Sequence, residues 1–179
     1  MNIANLITIF RIILVPIYLK VFFSNISNGI FWAGLIFIVA GISDILDGYI
    51  ARKYNLITKV GSVLDPIADK LMSFAVLISL TWSELIPIWI LIAIGMKELT
   101  LIIGGSILYL FKGNQVLPSN RYGKIATVSF YIAALSVVFK FPEILSKTLF
   151  VLTVSLNLLA FINYLIIYLS MGHNTEKIS

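Results

Sequence analysis

Long apolar runs separated by short polar stretches make up most of this chain, and several have the ~20-residue length a helix needs to cross hydrocarbon. In order, the pattern predicts six spanning helices. The first runs from roughly Thr8 to Phe23 and stops at the turn-forming cluster Ser24 to Gly29. The second, about Ile30 to Arg52, carries Asp44 and Asp47 near its far end. The third begins near Gly61 or Asp65 and reaches about Trp82; either Asp65 caps it with Pro66 in the first turn, or Pro66 kinks a longer helix. The fourth covers about Leu85 to Leu110, the fifth Tyr122 to Val138, and the sixth Ile144 to Ser170. The expected fold is therefore an all-α integral membrane protein, one transmembrane domain over residues 1–179, with no room for a soluble domain.

Composition agrees with that reading and removes other chemistry. The chain is 60% hydrophobic and 12% charged, with a mean hydropathy of +1.03, which places it in lipid. It has no cysteine, which excludes disulfides and thiol catalysis, and its one histidine, His173, lies in the polar tail, where a solvated side chain is expected. The N-terminal run carries Arg11 inside it and lacks a small-residue cleavage site, so it is expected to stay on the protein. Arg52, Lys53, Lys59, Lys112, Arg121, Lys124 and Lys177 fall on the N-terminal side of the predicted bundle, and Lys20, Lys140 and Lys147 on the other. The positive-inside rule then puts both termini at the cytoplasmic face of the cell membrane. The net charge of +5, gathered on that side, favours anionic headgroups and phosphorylated ligands, and there is no nucleic-acid motif.

The polar chemistry concentrates between Ser43 and Lys70, which holds Asp44, Asp47, Asp65 and Asp69, half of the eight acidic residues. On a helix, Asp44 and Asp47 share a face with Gly48 and Arg52, and Asp65 and Asp69 share another. Four carboxylates on neighbouring faces repel one another, and each bears a desolvation cost near a bilayer. A bound cation resolves the conflict. Oxygen ligands without nearby His or Cys favour magnesium or manganese over zinc.

The spacing Asp44-x2-Asp47-Gly48-x2-Ala51-Arg52-x8-Gly61-x3-Asp65-x3-Asp69 resembles the signature of the CDP-alcohol phosphatidyltransferases. Asn5 to Arg11 is similar to the Asn-x-x-Thr-x-x-Arg segment that opens many members, so the resemblance is strong from Asn5 to Lys70 and looser after it. It implies the six-helix fold of that family, with its site on the cytoplasmic side. It also implies transfer of a phosphatidyl group from CDP-diacylglycerol to an alcohol with release of CMP. Two Mg2+ ions, or Mn2+, would be held by the four aspartates: Asp44 and Asp65 touching both, Asp47 one, and Asp69 the other. Asp69 would also be the general base toward the acceptor hydroxyl. Gly48 and Gly61 would admit the nucleotide to the backbone, Arg52 would contact a phosphate, and Thr58 the CDP-lipid. Asn5 and Thr8 would help hold the nucleotide, or serve only as a helix start. Relatives are often homodimers.

The acceptor is read from weaker features. Lys97-Glu98 lies inside the fourth apolar run, where an isolated pair is costly unless it faces a site. Relatives that use glycerol phosphate commonly have Arg-Glu there, and cardiolipin-forming relatives Arg-Asp. Ser119 to Thr127, with Gly123-Lys124-x2-Thr127 at its end, resembles the Gly-Lys-x-x-Thr element that opens the fifth helix, with Ala126 where many relatives have a second Lys. Arg121, Lys124 and Lys97 are thus the candidate acceptor-binding set, and glycerol 3-phosphate the expected acceptor. The stretch Ile78 to Pro87 resembles cardiolipin-forming relatives, which use phosphatidylglycerol; inositol phosphate and serine are further alternatives. A different class, a non-enzymatic membrane protein that binds or transports cations, would account for the carboxylates but not for the Gly and Ala-Arg positions. Gly104-Gly105 is expected in close helix packing, and Trp82 and Trp89 at the membrane interface.

Overall fold

The computed structural model describes residues 3–54, 61–111 and 121–175, with side chains except at 3–4, 52, 62, 63, 66, 104–111, 121 and 167–175. The described residues form six helices and no strand: α1 (Ile3–Phe22), α2 (Gly29–Lys53), α3 (Gly61–Trp82), α4 (Ile88–Phe111), α5 (Arg121–Val138) and α6 (Glu143–Thr175). Three stretches among them are long and apolar enough to cross a membrane: Asn5–Phe22, Gly29–Ala51 and Glu143–Ile166. Tyr122–Val138 is a shorter apolar helix. α3 carries Asp65, Asp69 and Lys70, which lower the hydropathy of its first half. The chain divides into two compact units, Met1–Ile86 with α1 to α3 and Pro87–Ser179 with α4 to α6.

In the first unit α1 packs against both α2 and α3. Its buried stripe recurs at helical spacing: Thr8, Arg11, Leu14, Tyr18 and Phe22. α2 offers Ala33, Phe37, Ala40 and Asp47, and α3 offers Ala68, Met72, Val76 and Leu80. Small alanines let the helices approach closely, which is how helices associate where the surroundings are as apolar as their side chains. The opposite face of α1, with Leu6, Phe10, Ile13 and Ile17, is exposed, as suits contact with lipid. Deep in the unit, the Tyr18 hydroxyl and Ser79 Oγ lie 2.8 Å apart, giving a fully buried phenol the partner it requires. The same stripes that are apolar at this level become polar toward the start of α1 and the end of α2.

The turn from α1 to α2 depends on Gly29. A Cβ there would stand 2.8 Å from the Val21 carbonyl oxygen and 3.3 Å from that of Ser24. Asn28 precedes it with φ of 62°, a left-handed conformation that asparagine tolerates better than most residues.

In the second unit α6 packs against α5 and α4. Ala126, Phe130, Ala133 and Ala134 of α5 and Phe150, Thr153 and Ala160 of α6 are buried. The α5 end is closed by Lys140 at φ 53°, with the Phe141 N–H donating to the Ser136 carbonyl at 2.9 Å. α6 then starts after Pro142.

Helix boundaries differ from the hydropathy pattern at three places. α1 starts at Ile3 rather than Thr8, and α6 continues to Thr175 rather than Ser170. An apolar run marks only the part of a helix that needs an apolar solvent, and the hydrogen-bonded backbone extends beyond it. α4 starts at Ile88 rather than Leu85, because Leu85 still belongs to the cap of α3: its N–H donates to the Leu80 carbonyl at 3.0 Å across Glu84, which has φ of 56°. Pro87 also disfavours helix at the residue before it. α3 begins at Gly61, so Asp65 lies inside a longer helix and does not cap it.

Candidate active site

The site is built where the three stripes of the first unit turn polar. Asp44 and Asp47 project from α2, Asp65 and Asp69 from α3, and α1 supplies Thr8 and Arg11, one turn apart. The Thr8 hydroxyl donates to Asp65 Oδ1 and lies 3.4 Å from Asp47 Oδ2. It has one proton to give, so it serves one carboxylate at a time while holding both within reach of a single oxygen. Arg11 forks across the other pair, with Nη1 donating to Asp44 Oδ1 and Nη2 to Asp47 Oδ2. Thr8, Arg11 and Asp47 are buried, whereas the Asp44 side chain is 42% exposed. Asp44 is within electrostatic range of Asp65 and Asp69, so the four carboxylates form one cluster. Asp69 is part-exposed, with the Lys70 ammonium 3.6 Å away.

Residues 39 and 57 positions apart meet here because α1 is shared. Burying an arginine costs desolvation, which its attraction to two carboxylates offsets. Removing one partner from such a group typically costs about 3 to 5 kcal/mol, since the remaining charge is stranded.

The donor set suits a hard divalent cation: carboxylate oxygens from two helices plus a hydroxyl, with no nitrogen or sulfur ligand. Among the described residues no three acidic side chains already converge at the spacing of ligands on one ion. Arg11 bridges Asp44 and Asp47 instead.

Gly48 follows Asp47 on α2 and is half-buried; Gly61 is buried at the first residue of α3. Asn5 lies within α1, half-buried, and Thr8 lies more than a turn inside the same helix, so neither begins it. Thr58 and the Arg52 side chain lie outside the described residues. The acceptor candidates belong to the second unit. Lys97 Nζ donates to Glu98 Oε1 at 2.6 Å, and both side chains are buried. Lys124 is exposed near the start of α5, and the Arg121 side chain and Gly104-Gly105 lie outside the side chains described. Next to Lys124, a Cβ on Gly123 would come within 3.2 Å of the Tyr164 hydroxyl, so this end of α5 is closely covered by α6.

Arg11 has a larger part in the site than the sequence reading assigns to it. The signal was present: a charged residue inside the first apolar run is by default functional or paired. What the linear pattern lacked was the identity of the partners.

Four matches to known proteins bear on this geometry. The family model of CDP-alcohol phosphatidyltransferase matches residues 1–169. The chain is 34% identical over 173 residues to the CDP-diacylglycerol–glycerol-3-phosphate 3-phosphatidyltransferase of Aquifex aeolicus, covering 92% of this chain and 94% of that protein. It is 37% identical over 144 residues to the Bacillus subtilis protein of the same name, covering 74% of each. A cardiolipin synthase (CMP-forming) of Streptomyces coelicolor is 34% identical over 138 residues, covering 74% of this chain and 63% of that one. A match that runs through all six helices and both halves of the carboxylate cluster leaves one assignment: this chain is a membrane protein of the CDP-alcohol phosphatidyltransferase family, and hence a transferase.

Proposed function

We propose that the protein transfers the phosphatidyl group of CDP-diacylglycerol to the hydroxyl of glycerol 3-phosphate and releases CMP. The observation that carries this reading is the end-to-end match to the Aquifex aeolicus glycerol-3-phosphate phosphatidyltransferase. The acceptor oxygen attacks the phosphatidyl phosphorus, its proton passes to the Asp69 carboxylate, and the bond from phosphorus to the bridging oxygen breaks, so CMP leaves with that oxygen. Asp44, Asp47, Asp65 and Asp69 would hold two Mg2+ ions, or Mn2+; when bound, these neutralise the diphosphate and the charge that develops on the leaving CMP. Thr8 and Arg11 hold three of those carboxylates in place from α1. Gly48, Gly61, Asn5, Arg52 and Thr58 form the CDP-lipid side of the site, and Arg121, Lys124 and Lys97 bind the acceptor phosphate.

The whole chain works as one domain in this reading, supported by a family match that spans both compact units. All six helices cross the cell membrane, with both termini and the carboxylate cluster at the cytoplasmic face. The bias of Lys and Arg supports this orientation. The working form is a homodimer, as in many relatives.

A second reading has its own support: the Streptomyces coelicolor match and the Ile78 to Pro87 stretch favour a cardiolipin-forming enzyme with phosphatidylglycerol as acceptor. Purified protein in detergent, given CDP-diacylglycerol and a panel of acceptors, with lipid products identified by mass, separates the two. Phosphatidylglycerophosphate from glycerol 3-phosphate is the expected product. Cardiolipin from phosphatidylglycerol, with nothing from glycerol 3-phosphate, replaces the first reading with the second.

A further inference from the structure

Arg11 occupies an unusual place for a charged residue: its side chain is 1% exposed, inside a helix long and apolar enough to span a membrane, and it points at two carboxylates of the family motif. Nη1 and Nη2 serve Asp44 and Asp47, and Nε is buried with no hydrogen-bond partner among the described residues. An arginine fixed for purely structural reasons would have its full fork satisfied. Here only the two arms directed at the acidic cluster are engaged, and they engage the two carboxylates that stand on one face of α2. The guanidinium thus supplies positive charge at the point where four carboxylates otherwise face one another.

We infer that Arg11 is a built-in counter-cation: a positioning residue that holds Asp44 and Asp47 together before divalent cations bind, and that gives up at least one of their oxygens when they do. The inference rests on the reading of the aspartates as cation ligands. Its consequence is that Arg11 and the divalent cation compete. Arg11 keeps the cation-free cluster from splaying apart, and it weakens the apparent affinity for the metal, so the site loads and unloads without unfolding.

The test uses the full-length protein in detergent, with Mn2+ as the probe, bound Mn2+ read by electron paramagnetic resonance, and thermal unfolding followed with and without the ion. Arg11→Met is expected to melt lower than wild type in EDTA, to recover most of that loss at saturating Mn2+, and to bind Mn2+ about tenfold more tightly, the scale of one charge-assisted contact no longer competing. Arg11→Lys keeps one charge but cannot fork between the two carboxylates; it is expected to restore stability in EDTA and to bind Mn2+ with intermediate affinity. A merely structural arginine would lower the melting temperature equally in both conditions and leave Mn2+ affinity unchanged, and that result overturns the inference. If Arg11→Met yields no folded protein in either condition, Arg11→Lys decides: Mn2+ affinity equal to or weaker than wild type overturns it. Wild-type protein that binds no Mn2+ defeats the cation reading itself. Normal Mn2+ binding in wild type with no change in the variants defeats only the role of Arg11.

Discussion

The Thr8 hydroxyl on α1 donates to the Asp65 carboxylate on α3, 57 positions along the chain, while also lying 3.4 Å from Asp47 of α2. One small side chain therefore ties together carboxylates from two helices that reach the site independently. Thr8→Val preserves the shape and removes the donor. The expected cost is about 1 to 3 kcal/mol, the usual penalty for leaving a buried polar partner unmet. It should appear as a lower melting temperature together with reduced transfer activity, and Thr8→Ser should restore both. A Val variant equal to wild type in both measurements would show that the contact is incidental.

Asp69 is the carboxylate of the cluster that pairs with the neighbouring Lys70 rather than with a side chain from α1, and it remains part-exposed. That leaves it accessible to an incoming hydroxyl. Asp69→Asn keeps its size but cannot accept the proton, and loss of a general base typically lowers turnover by about 10²- to 10⁴-fold. CDP-diacylglycerol binding, measured by calorimetry in detergent, should remain close to wild type. Turnover within about threefold of wild type would remove Asp69 from the role.

In the proposed reading glycerol 3-phosphate is recognised through its phosphate, and Lys124 near the exposed start of α5, with Arg121 three positions before it in sequence, would provide charge for that contact. Removing one charge-assisted contact costs about 1.5 to 3 kcal/mol. Arg121→Ala or Lys124→Ala should accordingly raise KM for glycerol 3-phosphate by roughly ten- to a hundredfold, with little change in KM for CDP-diacylglycerol. Equal effects on both substrates would place these residues in general electrostatics rather than acceptor binding.

Gly29 tests the fold independently of the chemistry. Its missing Cβ would fall 2.8 Å from a backbone oxygen of α1, an atom that cannot rotate away. Gly29→Ala should destabilise the α1–α2 pair by about 1 to 3 kcal/mol, the range for overpacking, read as earlier thermal unfolding in detergent. A melting temperature equal to wild type would mean that the turn relaxes without cost.

The apolar runs alone foretold six helices, and nine of the twelve helix ends agree with the hydropathy pattern to within a residue or two, all but the starts of α1 and α4 and the end of α6. This works because crossing hydrocarbon imposes length and composition on a helix directly. The pairing of Asp44 with Asp47, and of Asp65 with Asp69, was equally legible, since residues three or four apart must share a helical face. The family too was legible, because its motif is a run of fixed spacings within two adjacent helices. What no linear pattern contained was the part played by α1. Thr8 read as a nucleotide contact or a helix start and Arg11 as the last position of the opening Asn-x-x-Thr-x-x-Arg segment, without their carboxylate partners, because those partners are more than thirty residues away and hydrogen bonds across helices have no sequence period. The start of α4 was misplaced for a related reason: hydropathy continues smoothly through Leu85, while the left-handed backbone at Glu84 and the ring of Pro87 end one helix and begin the next. Only packing of the three helices decided which charges meet, and with them where the cluster finds its counter-cation.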